Sequence, residues 1–354
     1  MDRGRFKNRA RKDADPKNVM ASAGARRRVG HPMRSFHRLA GLLVLFTAGS
    51  PSRAAEPVAA APKLYEPGLV STGFDDAHVT ISPDGQTLYF LRDTPDFAHW
   101  TVLVSRRTGG RWGPAEVASF SGRWNDGDVT ITRDGRRLFF ISNRPVDGDA
   151  PRPDTEIWTM DRTASGWGPP RHVAELSSPG DEWFPTMTDD GTLFFGSERP
   201  GGKGKCDLWQ ARWQGDHFGS PENLGEPINT PDQEIEPWIS PDGRMLVFSG
   251  KARPGGRGEY DLFVSFRCGS RWTEPRALGA GVNSPGWDFG GRFSPDGRTF
   301  FFTSNRSDWP AARPRALTAR ELEKALASPG NGLRDVYELP ASALDLRSPC
   351  PDAR

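Results

Sequence analysis

Five acidic residues recur at one place in this sequence. Asp76, Asp126, Glu182, Glu234 and Asp288 each stand eight residues before the Asp of an Asp-Gly dipeptide. Carboxylates brought together from separate repeats could ring a channel mouth. Such a ring binds a cation, with Ca²⁺ suited to carboxylate and carbonyl oxygens, or the basic segment of a partner. A second reading is structural. Each repeat also carries a basic residue further on: Arg144, Arg199, Lys251 and Arg306, with Arg92 near the matching place. A repeated acid and a repeated base make a repeated ion pair, and five unpaired carboxylates in one ring would raise each other's pKa.

Positions where repeats differ are better placed to carry specificity. Directly after the acids stand Ala77, Gly127, Trp183, Ile235 and Phe289, followed by His78, Asp128, Phe184, Glu236 and Gly290. With Trp238 and Trp287 these residues put aromatics beside carboxylates, either as a sugar-stacking or peptide-binding surface or as a plug in a narrow channel. His78 with Asp128 and Glu236 has the composition of an acid–base or metal group. The sequence holds no His-x-His, His-Glu-x-x-His, P-loop or nucleophile-elbow motif. No catalytic residue and no resident metal are assigned from it.

The elements that position these residues repeat too. Turns of the form Ser/Thr-x-Asp-Gly have their Asp at 84, 134, 190, 242 and 296, at steps of 50, 56, 52 and 54 residues. Asp bonds its own backbone and Gly accepts positive φ, so each turn closes a hairpin. An apolar strand follows, as in Leu138-Phe139-Phe140-Ile141. A third strand opens with an acid in Glu156, Asp207, Asp261 and Asp335, where the side chain caps backbone. Eleven residues after that strand's first residue comes an aromatic: Trp112, Trp167, Phe218 or Trp272. Four antiparallel strands per repeat make a propeller blade. Five repeats predict five blades, with six as the alternative. The fifth repeat lacks its outer strand, and Pro62-Lys63-Leu64-Tyr65-Glu66-Pro67 is expected to supply it and close the ring.

A strand, Ser-Pro-Asp-Gly, a second strand and Ser-Asn-Arg, clearest from Ser294 to Arg306 and from Ile131 to Arg144, resembles the PD40, or WD40-like, repeat of TolB-type β-propellers. The resemblance covers about residues 60–340. It implies a β-propeller and, for the family, periplasmic binding of a partner.

Residues 1–54 hold 13 Lys/Arg against 3 Asp/Glu, leaving 34 against 42 and a net charge of −8 for the remainder. A mildly acidic body argues against a nucleic-acid surface. Residues 1–32 read as an over-called or disordered basic leader, and residues 33–54 as a signal peptide with an apolar core at 39–49, short for a membrane span. The propeller is assigned to 55–345, with an insertion at 307–334, and a tail to 346–354. Within the insertion, Thr318 and Glu321 have capping-box spacing, and the helix either docks on the rim or offers a partner surface. Three cysteines leave pairing open. Cys206 and Cys268 belong at opposite ends of neighbouring elements, which argues against that bridge, whereas Cys350 on the tail can reach either.

These readings converge on an exported, monomeric, non-catalytic all-β propeller of the cell envelope. Its ligand is an envelope protein, a peptide or a glycan. The alternatives are a hydrolase or lyase acting at the channel mouth, and a purely structural domain of an envelope assembly.

Overall fold

The computed structural model describes residues 61–351. The basic leader and the signal stretch lie outside them. No described helix is long and apolar enough to cross a membrane.

The five Asp-Gly turns form as their residues dictate. In the first, Gly85 takes φ 70°, and Asp84 Oδ1 accepts from Ser82 Oγ at 2.5 Å and from the Gln86 amide at 3.0 Å. Each turn joins an inner strand to a second strand. The inner strands are Asp75–Ile81, Asp126–Ile131, Glu182–Met187, Glu234–Ile239 and Asp288–Phe293. Third strands begin at Trp100, Glu156, Asp207, Tyr260 and Asp335. The result is five separate antiparallel sheets arranged as blades, a five-bladed β-propeller; the six-bladed alternative does not hold. Outer strands are short, and in blades 1, 2 and 4 the outer strand is broken into two pieces that both pair the third strand. Apolar second strands lie buried between neighbouring blades, led by Phe139, Phe140, Phe194, Phe195, Phe300 and Phe302.

Blade 5 is completed by the opposite end of the chain. Lys63–Leu64 pairs antiparallel with Asp335–Pro340, Lys63 opposite Glu338 and Leu64 opposite Tyr337. The closure expected from the sequence is therefore present, and it covers an edge that would otherwise offer unpaired backbone groups. A disulfide joins Cys268, at the end of blade 4's third strand, to Cys350, with Cα atoms 5.4 Å apart; Cys206 is free and buried.

The repeated acids take one structural role. Asp76, Asp126, Glu182, Glu234 and Asp288 are all fully buried. Each meets an arginine: Arg92 at 2.6 Å, Arg144 at 2.6 Å, Arg199 at 3.2 Å, Arg253 at 2.8 Å and Arg306 at 2.9 Å. Burial pushes the Glu182 carboxyl up to about 7, with Glu156 adding to the rise and Ser178, Ser197 and Arg199 opposing it. The base in blade 4 is Arg253, not Lys251. Lys251 ends its strand on the surface and pairs with Glu259 at 2.7 Å. Two residues further on, a planar guanidinium reaches inward and also donates to the Ile228 and Pro227 carbonyls, which a compact ammonium group could not do in one geometry. Every such arginine lies over blade aromatics. Arg144 is 4.7 Å from the Phe140 ring centre and Arg306 is 4.9 Å from that of Tyr337.

The acids that open third strands cap backbone as expected in three blades. Asp207 accepts from the Lys203 and Gly204 amides, Asp261 from Arg257 and Gly258, and Asp335 from Gly330. Glu156 instead pairs with Arg152 at 2.6 Å. The insertion holds the capped helix Ala319–Leu326. Its end docks on blade 1. A Cβ at Gly73 would lie 2.4 Å from the Ala327 carbonyl carbon, and Asn331 Nδ2 donates to the Gly73 carbonyl at 3.2 Å.

The ion pairs yield a direct test. Arg253→Ala leaves the Glu234 carboxylate buried without its partner and is expected to cost about 3–5 kcal/mol. Lys251→Ala, a surface change, is expected to stay within about 0.5 kcal/mol. Urea denaturation of both variants measures the difference.

Candidate functional site

Each inner strand slips by one residue against its partner. The slips fall between Ala77 and Thr80, Gly127 and Thr130, Trp183 and Thr186, Ile235 and Trp238, and Phe289 and Arg292. These are β-bulges, which re-aim a side chain locally. In every blade one bulge residue takes left-handed backbone: His78 (φ 51°), Asp128 (52°), Phe184 (46°), Glu236 (56°) and Gly290 (63°). That conformation costs an L-residue about 1–2 kcal/mol. Four non-glycine residues adopt it at the same place, so the ring imposes it. These are the residues at which the repeats differ most in chemistry.

On the axis they meet. His78 Nδ1 lies 2.8 Å from Asp128 Oδ1, and its Nε2 lies 3.3 Å from Glu236 Oε1. The rings of Phe184 and Phe289 meet the imidazole edge-on, with centroids at 5.2 and 5.6 Å. Asp128 Oδ2 accepts from the Phe184 amide at 3.0 Å. At the left-handed position blade 5 contributes no side chain, and the reason is spatial: a Cβ on Gly290 would stand 2.6 Å from His78 Cδ2. One step nearer the Asp-Gly turns, the buried Arg292 donates to Thr80 Oγ1 and to the Val129 carbonyl, with its guanidinium 4.3 Å from the Phe184 ring centre. Burial works against the His78 imidazolium, but the Glu236 and Asp128 carboxylates outweigh it and push the group up to about 9. Burial pulls Arg292 down to about 10, with Asp128 and Glu236 opposing.

Above this layer, at the end of the ring away from the Asp-Gly turns, lies a cavity of about 340 Å³. His78, Asp128, Glu236 and Phe289 form its floor. Phe97, Trp100, Trp183, Tyr260 and Trp287 line its walls. Trp100 and Trp183 stand 5.7 Å apart, and Tyr260 meets Trp287 at 6.1 Å. Arg334 reaches in from the end of the insertion. Its Nε lies 2.7 Å from Asp75 Oδ1, another of its nitrogens pairs with Asp93, and its guanidinium is 4.1 Å from the Phe97 ring centre. Burial pushes Asp93 up to about 6, with Asp75 adding to the rise and Arg334 opposing it. Two carboxylate oxygens of the lining, Asp93 Oδ1 and Glu236 Oε2, are buried without a hydrogen-bond partner.

The residues singled out in the sequence therefore separate into layers. His78, Asp128, Glu236, Trp183, Trp287 and Phe289 come together at the mouth. Phe184 is fully buried beneath them, as a plug. Trp238 belongs elsewhere: with Phe293 at 4.7 Å it packs in the cluster between blades 4 and 5. None of the five repeated acids lines the cavity. Among the described residues no group of three or more His, Cys, Asp and Glu is disposed to hold a metal ion.

The sequence reading missed Asp93, Trp100, Tyr260, Arg292 and Arg334. Asp93, Trp100 and Tyr260 bound the loops between second and third strands, and an aromatic or acid falling there in only some repeats was the available signal.

The packing of His78 against Gly290 makes Gly290→Ala costly, by about 1–3 kcal/mol from overpacking and strained backbone together. In His78→Ala the same change should cost less, because the clash is gone. A double-mutant cycle by thermal unfolding measures that coupling.

The His78 pair also predicts a pH dependence. The folded-state pKa is raised above the ordinary 6.5, so the stabilisation is fully present below about pH 6.5 and is lost as pH rises through about 9. The stability difference between the wild type and His78→Gln should shrink by on the order of 3 kcal/mol between pH 6 and pH 10. Denaturation curves across that range read it directly.

No family model matches the chain, and no curated protein matches it either. Solved structures do resemble it. A protein assigned as TolB from Agrobacterium tumefaciens aligns with 75% of this chain and 90% of its own, at 17% identity and a TM-score of 0.45. A thermostable family-43 glycoside hydrolase aligns over 78% and 92%, at 12% identity and a TM-score of 0.47. A gluconolactonase from Xanthomonas campestris aligns over 81% and 98%, at 13% identity and a TM-score of 0.40. At such identities and scores the likeness concerns the fold alone and assigns no chemistry to this chain.

Proposed function

We propose that this protein is an exported, non-catalytic binding module of the cell envelope, periplasmic or secreted, built on PD40-type repeats, whose ligand enters the channel mouth. The mouth cavity carries this reading. It has aromatic walls, a rigid floor and two buried acceptor oxygens that nothing in the protein uses. A buried polar atom without a partner costs about 1–3 kcal/mol, and a ligand that supplies donors to these two oxygens recovers part of that cost. The imidazole at the mouth is paired on both sides. His78 is held between Asp128 and Glu236, and Asp128 also holds the Phe184 amide. The Cys268–Cys350 bridge supports export, since such bonds persist in oxidising compartments.

The test is capture from envelope extract with the wild type and with a Trp183→Ala/Trp287→Ala variant, each checked for folding by circular dichroism. Enrichment of one protein, peptide or glycan by the wild type, reduced at least tenfold by the variant, is the expected result. Turnover of a glycoside or peptide substrate that disappears in Glu236→Gln would replace this reading with an enzymatic one.

A further inference from the structure

The chemistry of the mouth goes further than "a ligand". The two oxygens without partners, Asp93 Oδ1 and Glu236 Oε2, both belong to carboxylates, and both side chains are about nine-tenths buried or more. The charged donors of the lining are already paired. Arg334 is taken by Asp75 and Asp93, the His78 nitrogens by Asp128 and Glu236, and Lys205 by Glu198 at 3.2 Å. What the cavity lacks is therefore a cation to meet these two carboxylate oxygens.

The charges give the same answer. Asp75, Asp93, Asp128 and Glu236 bring four negative charges to the mouth and the layer beneath it. Arg334, His78 and Arg292 bring three positive ones when His78 is protonated. The balance is one cation short. The walls, too, are of a kind that holds cations, because aromatic faces attract them. The protein's own Arg334 shows this at the rim, with its guanidinium 4.1 Å from the Phe97 ring centre and 5.8 Å from that of Phe289.

We infer that the mouth cavity binds a protonated primary amine, with its ammonium group donating to the free oxygens of Asp93 and Glu236 and its carbon chain lying along the aromatic walls. A quaternary ammonium would satisfy the charge but not the two acceptors. A neutral sugar would leave the charge unmatched. The ammonium can come from a free small amine or from a lysine side chain of another protein; the cavity chemistry is the same for both. This inference rests on the proposal that the mouth is the binding site, and narrows it.

The test uses the full chain and calorimetric titration at pH 7.5 with n-pentylamine, 1-pentanol, pentyltrimethylammonium, a methyl glycoside panel, and lysine-containing peptides with and without Nε-acetylation. The expected result is that pentylamine binds at least tenfold more tightly than pentanol and pentyltrimethylammonium. Glu236→Gln, which keeps the size of the side chain, should weaken pentylamine at least fivefold while the fold is intact by circular dichroism. Asp93→Asn should do the same. If it unfolds because Arg334 loses a partner, the Glu236→Gln measurement stands alone. A lysine peptide that binds more tightly than pentylamine and loses binding on acetylation identifies a protein side chain as the source. Preference for pentylamine over every peptide identifies a small amine. Equal binding of pentanol and pentylamine, or binding of a glycoside and no amine, overturns the amine assignment and leaves the mouth as the site. Binding of an amine unchanged by Glu236→Gln and by Trp183→Ala/Trp287→Ala overturns both.

Discussion

One repeated contact underlies this ring: a carboxylate at the head of each inner strand, fully buried, gripped by an arginine that lies over the aromatics of its own blade. The arginine does more than neutralise the acid. Arg144 also donates to the Phe120 carbonyl, Arg199 to Leu176, Arg253 to Ile228 and Arg306 to Val282. Those carbonyls belong to the chain segments that arrive from the preceding blade. Each guanidinium thus ties the entering chain, the inner strand and the aromatic core of one blade at a single point. Buried ion pairs are weak evidence for stability, because desolvation offsets their attraction. Here they are better understood as devices that fix geometry, since a planar fork with three kinds of acceptor tolerates one arrangement only.

With inner strands fixed in this way, their bulges become fixed too. Four left-handed, non-glycine residues converge on the axis, and the fifth position is empty of side chain because the imidazole of His78 occupies it. The central layer is consequently a single interlocked object contributed by all five blades rather than a set of independent side chains. The mouth inherits its rigidity from that layer, which suits a site whose affinity comes from groups already in place.

Much of this was legible before any coordinates. Asp-Gly turns at near-constant spacing announce the blades, and the unmatched Lys63-Leu64 segment announces the closure, because both follow from local backbone chemistry. The acid–base pairing was legible as a pattern but not as a register. Blade 4 places its arginine two residues later than expected, and Lys251 occupies the expected place. Bulges were invisible for a physical reason. A one-residue slip leaves no mark in an apolar pattern this short, so the sequence shows that His78, Asp128, Phe184, Glu236 and Gly290 differ, but not that they face one another. Asp93 and Arg334 lie 241 residues apart and meet only because the ring closes. Trp238 illustrates the converse error: sharing a blade end with Trp183 and Trp287 in the sequence does not place a side chain on the same side of a slipped strand.

The seam of the ring has a mechanical consequence. The outer strand of blade 5 is a short segment from the start of the chain, with Lys63 opposite Glu338, Leu64 opposite Tyr337 and the Tyr65 amide donating to the Val336 carbonyl, so a pull on the leading end peels that short pairing one rung at a time. A pull on the trailing end meets a different path. The Cys350 bridge carries the load past blade 5 and into the third strand of blade 4, a nine-residue strand paired along seven positions with its neighbour. The two ends of the ring therefore differ in mechanical strength. Tension applied at the tail is borne by the body of the propeller, and tension applied at the head opens it like a clasp.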